Sequence, residues 1–133
     1  MAIDSIIYGY VVKEDVVQPN VTIVKEGAKG DWVYVVLEGK VKVKKRTPKG
    51  LITLYTLGEG AIVGETSFLL KTQQLRSVSI ISEGVVKLGT LDKERLEKEY
   101  ESLSPQLKSL IKTMVLRLKE TTEKASLLAA EQQ

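Results

Sequence analysis

The chain contains no cysteine and no histidine among its 133 residues. Without thiols it cannot form disulfides or a zinc–thiolate site, and without imidazole it lacks the commonest metal ligand and the usual base of hydrolases. Most catalytic constellations are therefore excluded. We expect a protein that is not an enzyme, with no catalytic and no metal-binding residues.

Long apolar segments are missing as well. The first ten residues, MAIDSIIYGY, do not combine a basic stretch with a long apolar one, as a secretory signal would. No apolar run approaches the ~20 residues that a membrane-spanning helix needs. We therefore expect a soluble, cytoplasmic protein without a membrane partner.

The net charge of +3 and the pI near 9.0 raise the question of nucleic-acid binding. The densest basic run, Lys40 to Arg46, alternates lysine with valine in its first half, which is typical of a strand with one solvated face. It has no interleaved aromatic residues for base stacking, and no helix resembles a recognition helix after a short turn. We interpret the run as a solvated strand face and expect no direct DNA binding by this chain.

A β-rich region extends from about Val21 to Leu91, where Val, Ile, Thr and Tyr are frequent and glycines are regularly spaced. This composition is typical of short strands joined by tight turns, with Pro48-Lys49-Gly50 forming one hairpin. Strands at this spacing favour a sandwich or a jelly-roll barrel. We predict strands at Val21–Lys25, Trp32–Leu37, Lys40–Arg46, Leu51–Leu57, Leu75–Ile81 and Val85–Thr90.

Helical composition begins after Asp92, which can cap the first turn of the segment DKERLEKEYESL. Ser104-Pro105 then provides an N-cap and a proline at the first helical position, so a second, longer helix begins there. The predicted fold class is mainly β with C-terminal helices. We expect a barrel in residues 1–103 and a long helix in residues 104–133.

The long helix carries an apolar seam with alternating steps of four and three residues, which is the coiled-coil pattern. A seam of this kind either packs the helix against its own barrel or joins two chains. Leu110, Val115 and Leu116 lie outside it, so a second side of the helix can meet the barrel. We favour a parallel homodimer. The seam consists of Leu107, Ile111, Met114, Leu118, Thr121, Ala125 and Leu128.

An arginine enters the predicted strand that begins at Leu75. Strand alternation places Arg76 on the face of Val78 and Ile80, with Ser77 on the opposite face. A guanidinium leaves water at a cost of several kcal/mol unless an anion receives it. The anion is either a carboxylate, such as Glu65 in a buried ion pair, or a ligand.

Gly64-Glu65 precedes a short apolar run, Thr66 to Leu70. A glycine before a short helix permits a sharp turn, and the exposed N–H groups there attract an anion. An arginine that returns to the same place presents donors for two phosphate oxygens, and a glutamate accepts hydrogen bonds from sugar hydroxyls. Phosphate and ribose together indicate a nucleotide.

The sequence pattern resembles that of cyclic nucleotide-binding domains from about Val21 to the end of the chain. Its closest form looks like the sensor domain of the bacterial catabolite activator (cAMP receptor protein) family, whose fold is a jelly-roll or double-stranded β-helix. The matching residues are Gly30-Asp31, Tyr34, Gly39, Val41 and Val43, then Leu57, Gly60 and Gly64-Glu65, and finally Arg76-Ser77-Val78.

The resemblance implies roles for four residues around the cyclic phosphate and the ribose. Glu65 would receive the ribose 2′-hydroxyl, and Gly64 would let the backbone approach the ribose. Arg76 would pair with the cyclic phosphate, and Ser77 would add a hydroxyl or a backbone N–H. Strand alternation alone points Ser77 away from Arg76, so regular alternation would have to begin after Ser77.

The resemblance also assigns residues on the long helix. Thr121 and Thr122 match the positions that touch the adenine, with Thr122 reaching across the dimer, and Arg117 matches an arginine close to the site. The implied ligand is cAMP, or alternatively cGMP. Threonine weakens an apolar seam, so contact with a base would explain Thr121.

Three further hypotheses stand beside a cyclic nucleotide sensor that couples ligand binding to its helical dimer. One is a structural dimerisation module of the same fold that has lost nucleotide binding. The second is a DNA-binding regulator, although we expect no helix-turn-helix domain in this chain. The third is an enzyme acting on cyclic nucleotides, for which a metal site and an evident base are missing.

Overall fold

The structure is a computed structural model that describes residues 5–27, 32–64 and 78–131. The described part forms an antiparallel sheet followed by two helices, which confirms the predicted fold class. The elements are α1 (Ser5–Tyr8), β1 (Val11–Val17), β2 (Thr22–Val24), β3 (Tyr34–Thr47), β4 (Gly50–Leu57), β5 (Ile62–Val63), β6 (Ser79–Leu91), α2 (Lys93–Glu101) and α3 (Pro105–Glu131).

The two longest strands, β3 and β6, form the centre of the sheet. The strand order is β1-β6-β3-β4, while β2 pairs with β6 and β5 pairs with β3. Every described pairing is antiparallel. Short strands therefore depend on two long ones for their position, and the ends of β5 and β6 are both fixed against β3.

The central strands are longer than the sequence predicted. Each of β3 and β6 replaces two predicted strands, because Gly39 and Gly84 adopt positive φ within a continuous strand instead of ending it. The β3–β6 register shifts on both sides of Glu38, which is how a strand accommodates an irregularity without breaking. The predicted start at Leu75 lies outside the described residues.

Two strands were not predicted. β1 has the sequence VVKEDVV, in which a charged middle interrupts any alternation, and its pairing with β6 holds it in place. β5 has only two residues. The predicted hairpin at Pro48-Lys49-Gly50 is confirmed: Thr47 Oγ donates to the Gly50 carbonyl at 2.8 Å and accepts from the Lys49 N–H at 3.2 Å.

Valines on both faces of β3 build the core. One cluster contains Val36, Val41 and Val43 with Ile80, and the other contains Val35 and the residues around it. The second cluster consists of Val33, Val35, Leu37 and Leu91, with Leu96 of α2 packed against it. Because residues of both faces are buried, β3 is enclosed and provides a rigid base for the shorter strands.

Both predicted helix starts are confirmed by their caps. Asp92 Oδ1 accepts the Arg95 N–H at 3.1 Å, and Ser104 Oγ accepts the Leu107 N–H at 3.1 Å. α3 then packs against β3 and β4. Val115 and Ser126 are the buried residues of α3 among those whose burial is described, so they mark the side of α3 that faces the barrel.

Candidate ligand-binding site

The predicted site residues fall into two groups. Gly64, Arg117, Thr121 and Thr122 belong to the described part of the chain. Glu65, Arg76 and Ser77 lie outside the described residues, and so do Gly30 and Asp31 of the matching pattern. The structure therefore defines the two ends of the predicted ribose–phosphate segment, residues 65–77, and the helix beside the barrel.

Gly64 lies at the first end of this segment, directly after β5. Its φ of +91° is in the region that favours glycine, and the preceding Val63 is buried in the core. Val63 pairs with Tyr34 of β3, which anchors the turn to the central strand. The sharp turn predicted at Gly64 is confirmed.

Gly60 explains the second glycine of the motif. It has a φ of +87°, and its N–H donates to the Val36 carbonyl at 2.8 Å. The Val36 N–H in turn donates to the Ala61 carbonyl at 2.9 Å. Gly60 and Gly64 thus bracket β5 with two positive-φ turns, which accounts for their spacing of four residues.

The other end of the segment enters β6 at Ser79. Ile80 is buried in the core and Val78 packs against the same cluster, so the predicted alternation of Val78 and Ile80 is confirmed. Ser79 is buried on the opposite side, where its Oγ accepts the Glu26 N–H at 2.9 Å. The point at which the chain returns to the barrel is therefore fixed by packing and by a hydrogen bond.

Glu26 follows β2 and contacts both β3 and β6 near Ser79. This connection was not predicted from the sequence. One carboxylate oxygen pairs with Lys45 Nζ at 3.1 Å, and the other accepts the Arg46 N–H at 2.8 Å. Both side chains of the ion pair are largely buried. In the sequence, Glu26 is marked only as an acid before Gly27 in a basic region. Because its contacts join β3 and β6, we assign it a structural role.

Thr122 lies on the barrel-facing side of α3. It is half-buried and follows the buried Val115 by seven residues and precedes the buried Ser126 by four, spacings that keep side chains on one helix face. The resemblance implied that Thr122 reaches across a dimer. In a single chain, Thr122 lies on the side of α3 that faces its own barrel.

Thr121 and most of the apolar seam are exposed. Leu107, Met114, Leu118 and Leu128 are 41%, 60%, 50% and 59% exposed, respectively. The seam therefore does not serve to pack α3 on its own barrel, which was one of the two possibilities. Arg117 is also exposed, and it forms no ion pair with the described residues.

The groups with shifted pKa values lie on β1, β6 and α2 and in the segment before β1. Hydrogen bonding from the Tyr8 hydroxyl at 2.7 Å, together with Lys87 at 3.1 Å, lowers the pKa of Glu14. A hydrogen bond from the Tyr10 hydroxyl lowers the pKa of Glu99 and raises that of Tyr10. These groups attach the N-terminal segment to the barrel and to α2.

In the described part of the chain, no three Asp or Glu side chains are grouped so that they could hold a metal ion. No helix in that part is both long enough and apolar enough to span a bilayer.

Comparison with known proteins places this geometry in a family. The model of the cyclic nucleotide-binding domain matches residues 14–102, more than half of the chain. A CRP-like cAMP-activated global transcriptional regulator of Mycobacterium tuberculosis is 29% identical over 101 residues, which are 75% of this chain and 44% of the regulator. The chain thus spans less than half the length of that relative.

Solved structures agree with the sequence match. The EAL enzyme Bd1971 aligns in its cAMP-bound form with a TM-score of 0.76 at 25% identity, covering 86% of this chain and 30% of the enzyme chain. Its cGMP-bound form aligns with a TM-score of 0.72 at 27% identity, covering 85% and 30%.

The Catabolite Activator Protein of Thermus thermophilus aligns with a TM-score of 0.67 at 26% identity over 94% of this chain and 58% of that protein. The predicted jelly-roll fold, with a long helix after it, is therefore confirmed. The chain belongs to the cyclic nucleotide-binding domain family and resembles the CRP-like regulators within it.

Proposed function

We propose that the chain is a sensor module that binds a cyclic nucleotide, with cAMP preferred to cGMP, and transmits binding to a helical dimer. The observation that carries the proposal is the family match over residues 14–102, which includes both Gly64-Glu65 and Arg76-Ser77. Degenerate relatives would be expected to lose the glutamate or the arginine, and this sequence keeps both. A cytoplasmic location accompanies the proposal, by likeness to the CRP-like regulator.

The ribose–phosphate half of the site is assigned to residues 64–77. Glu65 accepts the ribose 2′-hydroxyl, Arg76 pairs with the cyclic phosphate, and Ser77 donates a further hydrogen bond. The positive φ of Gly64 supports this assignment, because it turns the chain at the point where the backbone approaches the sugar. Anchoring of the segment at Val63 and Ser79 supports a preorganised site.

The base is assigned to α3. The half-buried position of Thr122 beside the barrel favours contact with a nucleotide bound in its own chain. Thr121 on the seam is then the residue placed to reach the partner's nucleotide, and Arg117 lies one turn earlier on an exposed face. A threonine hydroxyl can accept a hydrogen bond from the exocyclic amino group of adenine and donate one to a ring nitrogen.

A parallel homodimer through the seam completes the module. Four seam residues that are 41–60% exposed form an unusual apolar surface for a monomer. Ligand contacts from two neighbouring threonines, one on each side of the helix, would favour one arrangement of the helix pair over another. The same exposed seam is the observation that favours the second candidate, a dimerisation module without a ligand.

Thermal unfolding of the chain with cAMP, cGMP, cyclic di-GMP and, as a control without a cyclic phosphate, 5′-AMP tests the proposal. A ligand at ~100 times its dissociation constant should stabilise the fold by about 2.7 kcal/mol. We expect the largest shift with cAMP and none with 5′-AMP. If no cyclic nucleotide raises the unfolding temperature, the ligand-free dimerisation module becomes the better description.

A further inference from the structure

A cavity of about 440 Å³ lies between Trp32, β1 and the start of α2. Its lining combines an aromatic ring, an aliphatic side chain and an excess of carboxylates. The residues are Val12, Trp32, Asp92, Lys93, Glu94 and Glu97. No part of the proposed nucleotide site uses them.

Trp32 provides the aromatic face of this cavity. It is the only tryptophan of the chain, and it remains 47% exposed although it directly precedes the buried Val33. Lys93 Nζ lies over the indole ring at 5.5 Å from its centroid. The ring therefore already receives a cation from its own chain, and tryptophan is the side chain that best stabilises a cation over its face.

Charge strengthens the same preference. Three carboxylates against one ammonium give the lining a formal charge of −2, in a chain whose net charge is +3. The helix dipole places only about half a positive charge at the N-terminus of α2, which disfavours a cation there. The carboxylate of the N-cap residue Asp92 lies at the same point and offsets this charge. Glu97 is half-buried and forms no ion pair with any described residue. A half-buried carboxylate of this kind is stabilised by an incoming cation.

The β1 wall of the cavity has the form of an edge that a peptide can join. β1 is the terminal strand in the described sheet order, and a register shift between Val11 and Lys13 turns Val12 outward, where it is 61% exposed. An edge strand offers a row of main-chain donors and acceptors. An extended peptide segment can pair with the whole row, whereas a single amine cannot. This feature favours a polypeptide over a small cation.

We propose that this cavity, the Trp32 pocket, docks an arginine-bearing segment of a partner protein. The guanidinium stacks on Trp32 in place of Lys93 and pairs with Glu97, while the segment runs along β1. Arginine fits better than lysine because its planar group stacks on an aromatic face and also pairs with a carboxylate. Complementarity of charge and the exposed ring carry the assignment.

Fluorescence of the single tryptophan reports directly on this pocket. The full chain is titrated with a tri-arginine peptide, with tri-citrulline of the same shape but no charge, and with argininamide. We expect a saturable change with tri-arginine, none with tri-citrulline, and at least tenfold weaker binding of argininamide. Equal binding of argininamide overturns the partner-segment assignment, and a response to tri-citrulline or to none of the three overturns the pocket.

Three variants that keep the tryptophan complete the test. Glu97→Gln should weaken tri-arginine binding by roughly fivefold or more, since it removes the pairing charge. Lys93→Ala should tighten binding, because it removes the resident cation, and Glu120→Gln on the exposed side of α3 should change nothing. Equal affinity of the Glu97 and Glu120 variants overturns the proposal. Because these titrations contain no cAMP, their outcome does not depend on whether the proposed nucleotide site is correct.

Discussion

Thr121 and Thr122 are neighbours in sequence but lie on different sides of α3, since Thr122 is half-buried beside the barrel and Thr121 is exposed on the apolar seam. The resemblance assigned both threonines to contact with the base, whereas their positions on α3 differ. Under the proposed function, the barrel side of α3 contacts a nucleotide in the same chain, and the seam contacts the partner. Each threonine can therefore be tested by itself.

Thr122→Ala should reduce cAMP affinity and narrow the difference between cAMP and cGMP. Loss of one hydrogen bond to the base costs about 1 kcal/mol, or roughly fivefold in affinity. Calorimetric titration with both nucleotides measures the change. Thr113→Ala is the matched control, because Thr113 is exposed on the same helix and its Oγ donates only to the Ser109 carbonyl, at 2.9 Å. Unchanged selectivity of the Thr122 variant would remove it from the site.

Arg76→Ala should weaken cAMP binding far more than any threonine substitution. Truncating one partner of a desolvated charge pair costs about 2–4 kcal/mol, because the phosphate loses its counter-charge. Arg46→Ala, at an exposed arginine on β3, provides a control with the same loss of charge. Equal calorimetric affinities for the two variants would contradict the assignment of Arg76 to the phosphate.

Leu118→Glu should dissociate the proposed homodimer. A charge at a seam position is desolvated in the helix pair, so we expect the dimer dissociation constant to rise at least tenfold. Leu116→Glu is the matched control, since Leu116 is 48% exposed, like Leu118 at 50%, but lies off the seam. Sedimentation with and without cAMP measures both the dimer and its coupling to ligand. Dissociation by both substitutions alike would show that the contact is not confined to the seam, and an unchanged dimer with Leu118→Glu would contradict the proposed interface.

Sequence pattern was most informative where side-chain chemistry acts locally. The caps at Asp92 and Ser104 and the turn at Gly64 were predicted correctly, because each depends on a few adjacent residues. The separation of the seam of α3 from Val115 has the same origin, since it follows from helical period alone, and the homodimer predicted from the seam stays a prediction.

Long-range pairing is what the sequence could not provide. β1 has a charged centre and becomes a strand only because β6 pairs with it from Val17 to Val11. Gly39 was interpreted as punctuation between strands, whereas the neighbouring strand makes it a kink inside one. The half-buried position of Thr122 likewise depends on the packing of α3 on β3 and β4, which the sequence pattern does not show.

Acid should loosen the attachment of the N-terminal segment. Tyr10 lowers the pKa of Glu99, and Tyr8 with Lys87 lowers that of Glu14. Their folded-state pKa values lie below the unfolded ones, so the stability they contribute is complete above the unfolded pKa and is lost as the pH falls through the folded pKa. Urea midpoints measured from about pH 6 to pH 3 should therefore decline.

Tyr10→Phe isolates one of these contributions. It removes the hydrogen bond to Glu99, so the decline of the urea midpoint with acid should become shallower than in the unmodified chain. Tyr100→Phe is the control, because the Tyr100 hydroxyl donates to the Lys108 backbone carbonyl and not to a carboxylate. Identical pH profiles for Tyr10→Phe and the unmodified chain would show that the Glu99 contact contributes no pH dependence.

Gly39→Ala should be among the most destabilising single-methyl additions in the described barrel. Gly39 has a φ of +93°, and a Cβ there would lie 2.6 Å from the Val85 carbonyl oxygen, which belongs to backbone and cannot rotate away. The positive φ costs an alanine about 1–2 kcal/mol, and the overlap adds a further ~1–3 kcal/mol.

Gly84→Ala separates these two costs, because Gly84 has a φ of +74° in the neighbouring strand but no atom within 4 Å of its added Cβ. Urea unfolding should therefore place the Gly84 variant about 1–2 kcal/mol below the unmodified chain, with the Gly39 variant lower still. Since β3 and β6 enclose the core and anchor both ends of residues 65–77, the Gly39 variant should also lose cAMP affinity. Equal unfolding free energies for the two variants would mean that β6 moves away from β3 without cost, which a core packed on both faces of β3 does not allow.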